Sequence, residues 1–235
     1  MNSLSLYSTE QFLRSIPVES TRTYTAIPHG KVIDDIKRFT SKAGFTITRE
    51  TYKQCNDGKI AQGDYTIHSV SDPDMCLQLS WQNSTNKQVS FKAAIGSFVF
   101  LCQNGCVFGD MGAFKKIHKG SADIEAYNLL EQIIGDAGES FQEMIKVKEA
   151  LKEVELSKQF QAAFLGRLYA EKEILTITQM GIVKDEMDKP SFDYGVTDTA
   201  WNLYQHCTHS FKGITPRTYL PKQIELTRFF QEEIL

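Results

Sequence analysis

The sequence predicts an α+β protein: an N-terminal antiparallel sheet with one or two short helices, followed by an all-helical C-terminal half with a long helical hairpin. Between residues 45 and 108, apolar and polar side chains alternate in short runs that turn signals separate, as is typical of strands. After residue 120, apolar side chains recur at spacings of three and four, and proline is absent until Pro190. Because the strands come first and the helices afterwards, these patterns favour the α+β class.

Two short helices are predicted before the sheet. Ser8 is placed to cap a helical turn over residues 9–15. From Lys31 onward apolar residues follow helical spacing, and Gly44 is well placed to end that helix.

Five or six antiparallel strands are predicted next. Alternation begins near Phe45 and stops at the turn signal Asn-Asp-Gly-Lys of residues 56–59. Further strands are predicted near 63–70, 75–82 and 88–102. The triplet Gln-Asn-Gly at 103–105 predicts a hairpin that returns through residues 106–108.

The second half predicts helices throughout. Ser121 caps a run to residue 134, and apolar spacings continue through 144–154 and 160–174, where two helices are expected to pair as an antiparallel hairpin. Thr176 caps a helix near 179–187, another covers 198–210, and Pro221 starts a last helix to 235. Residues 1–120 therefore form a strand-rich region and 121–235 a helical region, which we expect to be one interdependent unit.

Composition excludes several classes of protein. The 235 residues are 41% hydrophobic and 23% charged, which argues against a disordered or fibrous chain. The longest apolar runs fall far short of the roughly 20 residues that span a bilayer, and residues 1–7 do not resemble a signal peptide. Five scattered cysteines, an odd number, indicate reduced thiols. We therefore expect a cytoplasmic protein without membrane contact.

Charge is unevenly divided between the two regions. Residues 1–120 carry 14 basic and 10 acidic side chains, a net +4, whereas residues 121–235 carry 12 and 19, a net −7. A polyanion would therefore be expected to meet the first region, and a basic protein partner the second.

Sequence motifs for catalysis, cofactors or metals are weak. Cys102 and Cys106 could be completed as a zinc site by residues elsewhere in the chain, namely His118, His206, Cys207 and His209. Zinc ligands, however, usually come as close pairs from two tight turns. The spacing His206-x-x-His209 lacks the glutamate that metalloproteases place between their histidines. Packing explains these residues more simply. We predict no cofactor, no metal and no catalytic residue, and lean towards a protein that is not an enzyme.

The segment after the predicted hairpin is the best candidate for binding. Three lysines and a histidine stand beside Phe114 and just before a helix start, and lysines and helix starts both attract phosphate. Aromatic residues of the sheet could stack on unpaired bases. The predicted nucleic-acid-binding residues are Arg49, Lys53, Trp81, Lys92, Lys115, Lys116, His118 and Lys119. Ordinary solvated lysines and core aromatics would give the same pattern.

Several phrases resemble a family of unknown function found in phages, prophages and plasmids. They are SWQNST at 80–85, LCQNG at 101–105, KIH at 116–118 and TAWNLYQHCTHSFK at 199–212. The resemblance implies a place among accessory, recombination or anti-restriction genes, with no established activity. The order of strands and helices is also loosely similar to single-strand annealing proteins, a fold-level analogy only. The last phrase is explained without function as one helix face, on which Trp201 anchors the core.

Together these observations predict a non-enzymatic accessory protein of a phage or mobile element that binds nucleic acid, preferably single-stranded DNA. The alternative is a protein-binding inhibitor of a host defence or restriction enzyme that acts through the acidic helical region. In either case a host or phage protein could be a partner, and the helical region could mediate homo-oligomerisation.

Overall fold

The computed structural model describes residues 6–19, 21–22, 24–67, 75–99, 104–106, 113–116 and 122–235. Strands dominate the first half of the chain and helices the second, which confirms the predicted α+β class. The strands are β1 (Leu6–Ser8), β2 (Ile47–Cys55), β3 (Ile60–Ile67), β4 (Met75–Ser84), β5 (Phe91–Val99), β6 (Asn104–Cys106) and β7 (Ala113–Lys116). The helices are α1 (Glu10–Arg14), α2 (His29–Lys42), α3 (Ala122–Gly135), α4 (Ala137–Glu153), α5 (Lys158–Ala170), α6 (Ile177–Asp188), α7 (Ala200–His209) and α8 (Pro216–Ile234).

The seven described strands form one antiparallel sheet. Strands β1 to β6 neighbour each other in chain order, and β7 pairs with β5 beside β6. The turn between β2 and β3 falls where the sequence predicted it: Asn56, Asp57 and Gly58 all have positive φ, which these residue types tolerate better than most.

The predicted hairpin at residues 103–105 is wrong in register. Asn104 and Gly105 lie in β6, opposite Val99 and Phe98 of β5. Residues 100–103, which include Cys102, and the predicted turn at 71–74 lie outside the described residues. An Asn-Gly pair favours a tight turn, but here both residues lie within the ladder between β5 and β6.

The long helical hairpin is not confirmed. Helix α4 contacts β5 and α7, whereas α5 contacts α6. The last helix begins at Pro216, so that Pro221 lies inside it instead of starting it. A proline in the first turn loses no hydrogen bond, which makes Pro216 the better starting residue.

One face of the sheet is largely apolar and packs on the N-terminal helices. Trp81 of β4 is buried on this face, with its ring centroid 6.0 Å from that of His29 in α2. Asn83, on the same face, donates from Nδ2 to the carbonyl of Ile27 at 2.7 Å and lies 3.1 Å from His29 Nδ1. His29 Nε2 in turn donates to the carbonyl of Gly58 at 2.9 Å, so Asn83 and His29 together join β4, the β2–β3 turn and the start of α2.

The opposite face of the sheet is covered by α8, which contacts β2, β3 and β4. Helix α8 also closes an aromatic cluster: Phe230 lies 4.8 Å from Phe164 of α5 and 5.0 Å from Tyr204 of α7, between ring centroids. Trp201 is buried against Tyr204, as predicted for a core anchor. Within the described ranges, no helix combines the length and the apolar character needed to cross a bilayer.

Candidate nucleic-acid interface on the polar sheet face

A row of polar side chains crosses the sheet on the face that α8 covers. Directly opposed residues of antiparallel strands share a face, and the register places Lys53 opposite Gln62, Gln62 opposite Gln82, and Gln82 opposite Lys92. We call these four residues the lysine–glutamine row. In β7, Lys115 takes the backbone position opposite Lys92. Lysines therefore stand at both ends of the row.

Tyr7 of β1 extends the row at the sheet edge. It is paired with Lys53, and 80% of its surface is exposed. The Lys53 ammonium nitrogen lies 5.8 Å from the centroid of the Tyr7 ring and 5.5 Å from that of Tyr219 in α8. An exposed aromatic ring beside a cation combines a stacking surface for a base with a contact for a phosphate.

A half-buried acid, Asp64, lies next to the row. The Asp64 carboxylate accepts from Ser80 Oγ at 2.6 Å, Gln62 Nε2 at 2.9 Å and Gln78 Nε2 at 3.4 Å. Burial raises the pKa of Asp64, while these hydrogen bonds and the charge of Lys53 act against that rise. We call Asp64, Gln62, Gln78 and Ser80 the Asp64 cluster.

Several polar side chains on this face are buried, although such residues are mostly exposed in proteins. Gln62, Gln78, Ser80 and Gln82 are all less than 5% exposed. The side-chain oxygens Oε1 of Gln62 and Gln78 have no hydrogen-bond partner within the described part of the protein. Leaving such an atom unpaired costs about 1–3 kcal/mol, so water or a ligand is expected to bind there.

The predicted binding residues are not all brought together. Arg49 is exposed in β2 and shares the face of the row through its pairing with Thr66. Lys53 and Lys92 are half-buried, an arrangement in which lysine packs its stem and keeps its ammonium in water. Lys116 takes the backbone position opposite Phe91, in register with the apolar face. His118 and Lys119 lie outside the described residues.

Trp81 does not lie on the polar face. Its side chain has 0% exposure and packs in the core, so its ring presents no surface to solvent. We therefore leave Trp81 out of the candidate interface. Tyr7 provides an exposed aromatic ring at the sheet edge, but a strand of three residues is too short for the alternation that predicts strands from sequence.

The two histidines of α7 serve packing in different ways. His206 is buried and its Nε2 donates to Asn202 Oδ1 at 2.8 Å. His209 Nδ1 lies 3.6 Å from the Glu186 carboxylate, which also accepts from Ser191. No group of three or more metal-binding side chains occurs among the residues for which coordinates are described.

The fold and this site define an α+β protein with a polar, lysine-bearing sheet face beneath its last helix. The chain belongs to the family described as Domain of unknown function (DUF932), whose model matches residues 19–221. The match includes the lysine–glutamine row and the Asp64 cluster but not Tyr7. No curated protein and no solved structure matches the chain.

Proposed function

We propose that this is a non-enzymatic accessory protein of a phage or related mobile element, located in the host cytoplasm. It binds nucleic acid, single-stranded DNA in preference to duplex, in replication, recombination or protection of DNA. The link to phages and plasmids is supported by the sequence phrases described above. The link to nucleic acid is supported by the polar face of the sheet.

The lysine–glutamine row is the observation that carries the proposal. Lys53 and Lys92 are three strand spacings apart, which is about 14 Å. Each lysine stands at one end of the lysine–glutamine row and can neutralise a phosphate there. The ring of Tyr7, next to Lys53, can stack on an unpaired base. A duplex, whose bases are already stacked, gains nothing from Tyr7, so the geometry favours single strands.

Fluorescence anisotropy with a labelled single strand and its duplex, each at several salt concentrations, tests the proposal. We expect affinity for the single strand to fall log-linearly with salt. In the variant Lys53→Gln/Lys92→Gln, the slope is expected to flatten by about 0.7 for each phosphate that a lysine no longer neutralises. Glutamine keeps most of the stem of lysine, which limits the loss of packing.

The matched control is Lys146→Gln/Lys184→Gln, which removes two exposed charges from α4 and α6. Both lysines pair locally, with Glu143 and Asp188. This variant should bind like the unmodified protein. Equal weakening in both variants would mean that net charge, and not the row, governs binding.

Tyr7→Ser tests the preference for single strands. Because Tyr7 is 80% exposed, its loss should leave stability unchanged. Base–aromatic stacking is worth about 1–3 kcal/mol, so the affinity for the single strand should fall at least about fivefold and that for duplex should not change. Parallel losses for both ligands would contradict the stacking role.

The acidic helical region remains the basis of the alternative, an inhibitor that docks on a host defence enzyme. If neither oligonucleotide bound at low salt, the nucleic-acid-binding proposal would be wrong and the alternative would be favoured. Charge reversal on the helices should then abolish a complex with a protein partner.

A further inference from the structure

A cavity lies between the start of α6, the end of α7 and the start of α8. Its volume is about 490 Å³, within the range of small-molecule sites. Its lining includes the polar residues Thr176, Thr178, Gln179, His209, Lys212 and Lys222. This cavity is separate from the lysine–glutamine row, none of whose residues lines it.

The charge of the lining is opposite to that of the region around it. Residues 121–235 carry a net charge of −7, yet the cavity lining contains two lysines and no carboxylate among the described residues. Outside the lining, the Glu186 carboxylate lies 3.6 Å from His209 Nδ1. Since burial lowers the pKa of His209, the positive charge at neutral pH comes from Lys212 and Lys222.

Hydrogen-bond donors converge on the cavity. Helix α6 begins there, and the first N–H groups of a helix have no acceptor within the helix. The helix dipole adds partial positive charge at the same place. Lys222 donates to the carbonyls of Glu173 and Ile174, which leaves one of the three donors of its ammonium group.

Gln179 gives an independent indication of a ligand. Its side chain is 4% exposed, and its Oε1 accepts from the backbone nitrogen of Thr176 at 2.8 Å, closing the capping box of α6. Its amide nitrogen Nε2 has no acceptor anywhere in the described structure. A buried donor at the wall of a cavity, without an acceptor of its own, fits a ligand that supplies oxygen atoms.

We propose that this cavity binds a phosphate monoester of the size of a mononucleotide. Its two lysines, the Thr178 hydroxyl and the start of α6 bind the phosphate oxygens, with the Gln179 amide as a further donor. The phosphate monoester can come from a free nucleotide or from the 5′ end of a DNA strand. The proposal does not depend on binding at the sheet face.

Calorimetric titration of the full chain with AMP, with adenosine as the uncharged comparison, tests the proposal. The decisive variant is Gln179→Glu. Glutamate keeps the oxygen that accepts from Thr176 and is itself favoured at this position of a capping box, so α6 should fold as before. It replaces the free donor by a negative charge, which repels phosphate.

The matched control is Gln159→Glu, which adds the same charge at an exposed position of α5. We expect AMP to bind the unmodified protein and the control equally, adenosine to bind neither, and Gln179→Glu to lose at least about tenfold in affinity. No binding of AMP by the unmodified protein, or equal affinity in the two variants, would overturn the proposal. Thermal unfolding verifies that Gln179→Glu is folded.

Two oligonucleotides that differ only in a 5′ phosphate or a 5′ hydroxyl distinguish the sources. Tighter binding of the phosphorylated strand by Gln159→Glu, but not by Gln179→Glu, identifies a strand end as a ligand. Equal binding of the two strands, with AMP still bound, identifies a free nucleotide. Both results support the cavity, and neither depends on the outcome at Lys53 and Lys92.

Discussion

Gly63 of β3 lies directly opposite Trp81 of β4, and the indole occupies the space that a side chain at residue 63 would need. A Cβ atom added to Gly63 would lie 2.3 Å from Trp81 Nε1, well inside contact distance. Because the ring is fully buried, it has little room to move. We expect Gly63→Ala to lower the free energy of unfolding by about 1–3 kcal/mol, measured by urea denaturation.

Gly166→Ala is the matched control. Gly166 lies in α5, and an added Cβ would contact nothing within 4 Å. Alanine is the better helix former, so this substitution should raise stability by up to about 1 kcal/mol. Effects of the same sign at both positions would show that the space around Trp81 is not the cause.

His206 links stability to pH. Its Nε2–H donates to Asn202, and Nδ1 has no partner in the described residues, so a proton added at Nδ1 would be buried without an acceptor. Burial lowers the pKa of His206 to about 4, against an ordinary value of about 6.5 in the unfolded chain. Between these values the unfolded chain binds a proton and the folded chain does not, so stability falls as pH decreases.

The contribution of His206 can be isolated with His206→Gln. Between about pH 7 and pH 5 the ionisation of His206 should remove roughly 2 kcal/mol of stability from the unmodified protein. His209 and Glu186 also have lowered pKa values and act in the same direction, but they are present in both proteins. Urea denaturation at the two pH values should therefore show a smaller loss in the variant. Equal losses would contradict a neutral His206 in the folded state.

Among the secondary-structure elements, the sequence correctly predicted those turns and helix ends that neighbouring side chains determine. The turn at residues 56–59 and the cap of α6 at Thr176 follow from side chains within a few positions. The register of β6 does not, because Asn104 and Gly105, which favour a tight turn, lie in the ladder with β5 instead.

For the candidate interface, too, the sequence predicted individual residues but not their arrangement. Charge and residue type were enough to name Lys53, Lys92 and Lys115. Their alignment in one row depends on four successive strand registers, so it could not be predicted from the sequence. Burial of Trp81 likewise follows from which face of β4 packs on α2, because strand alternation gives two faces without showing which of them is covered.

At the scale of the whole molecule, one hydrophobic core includes both the sheet and the helices. It extends from Leu79 and Trp81 of the sheet to Trp201 of α7 and Phe229 of α8 without a break into separate clusters. Helix α8 connects the two regions, since it packs on both the sheet and α7. We therefore expect the strand-rich and helical regions to unfold together, as one interdependent unit.

The two tryptophans allow this expectation to be measured, because the sheet contains Trp81 and the helices contain Trp201. Trp201→Phe leaves fluorescence from the sheet alone, and Trp81→Phe leaves fluorescence from the helices alone. Each substitution lowers stability, so the comparison is made within each variant, between fluorescence and far-ultraviolet circular dichroism during urea denaturation. One cooperative unit gives coincident transitions in both variants. If fluorescence from the sheet and dichroism from the helices changed at different urea concentrations, the two regions would be separate domains. Helix α8 would then cover the polar face without being required for the sheet to fold.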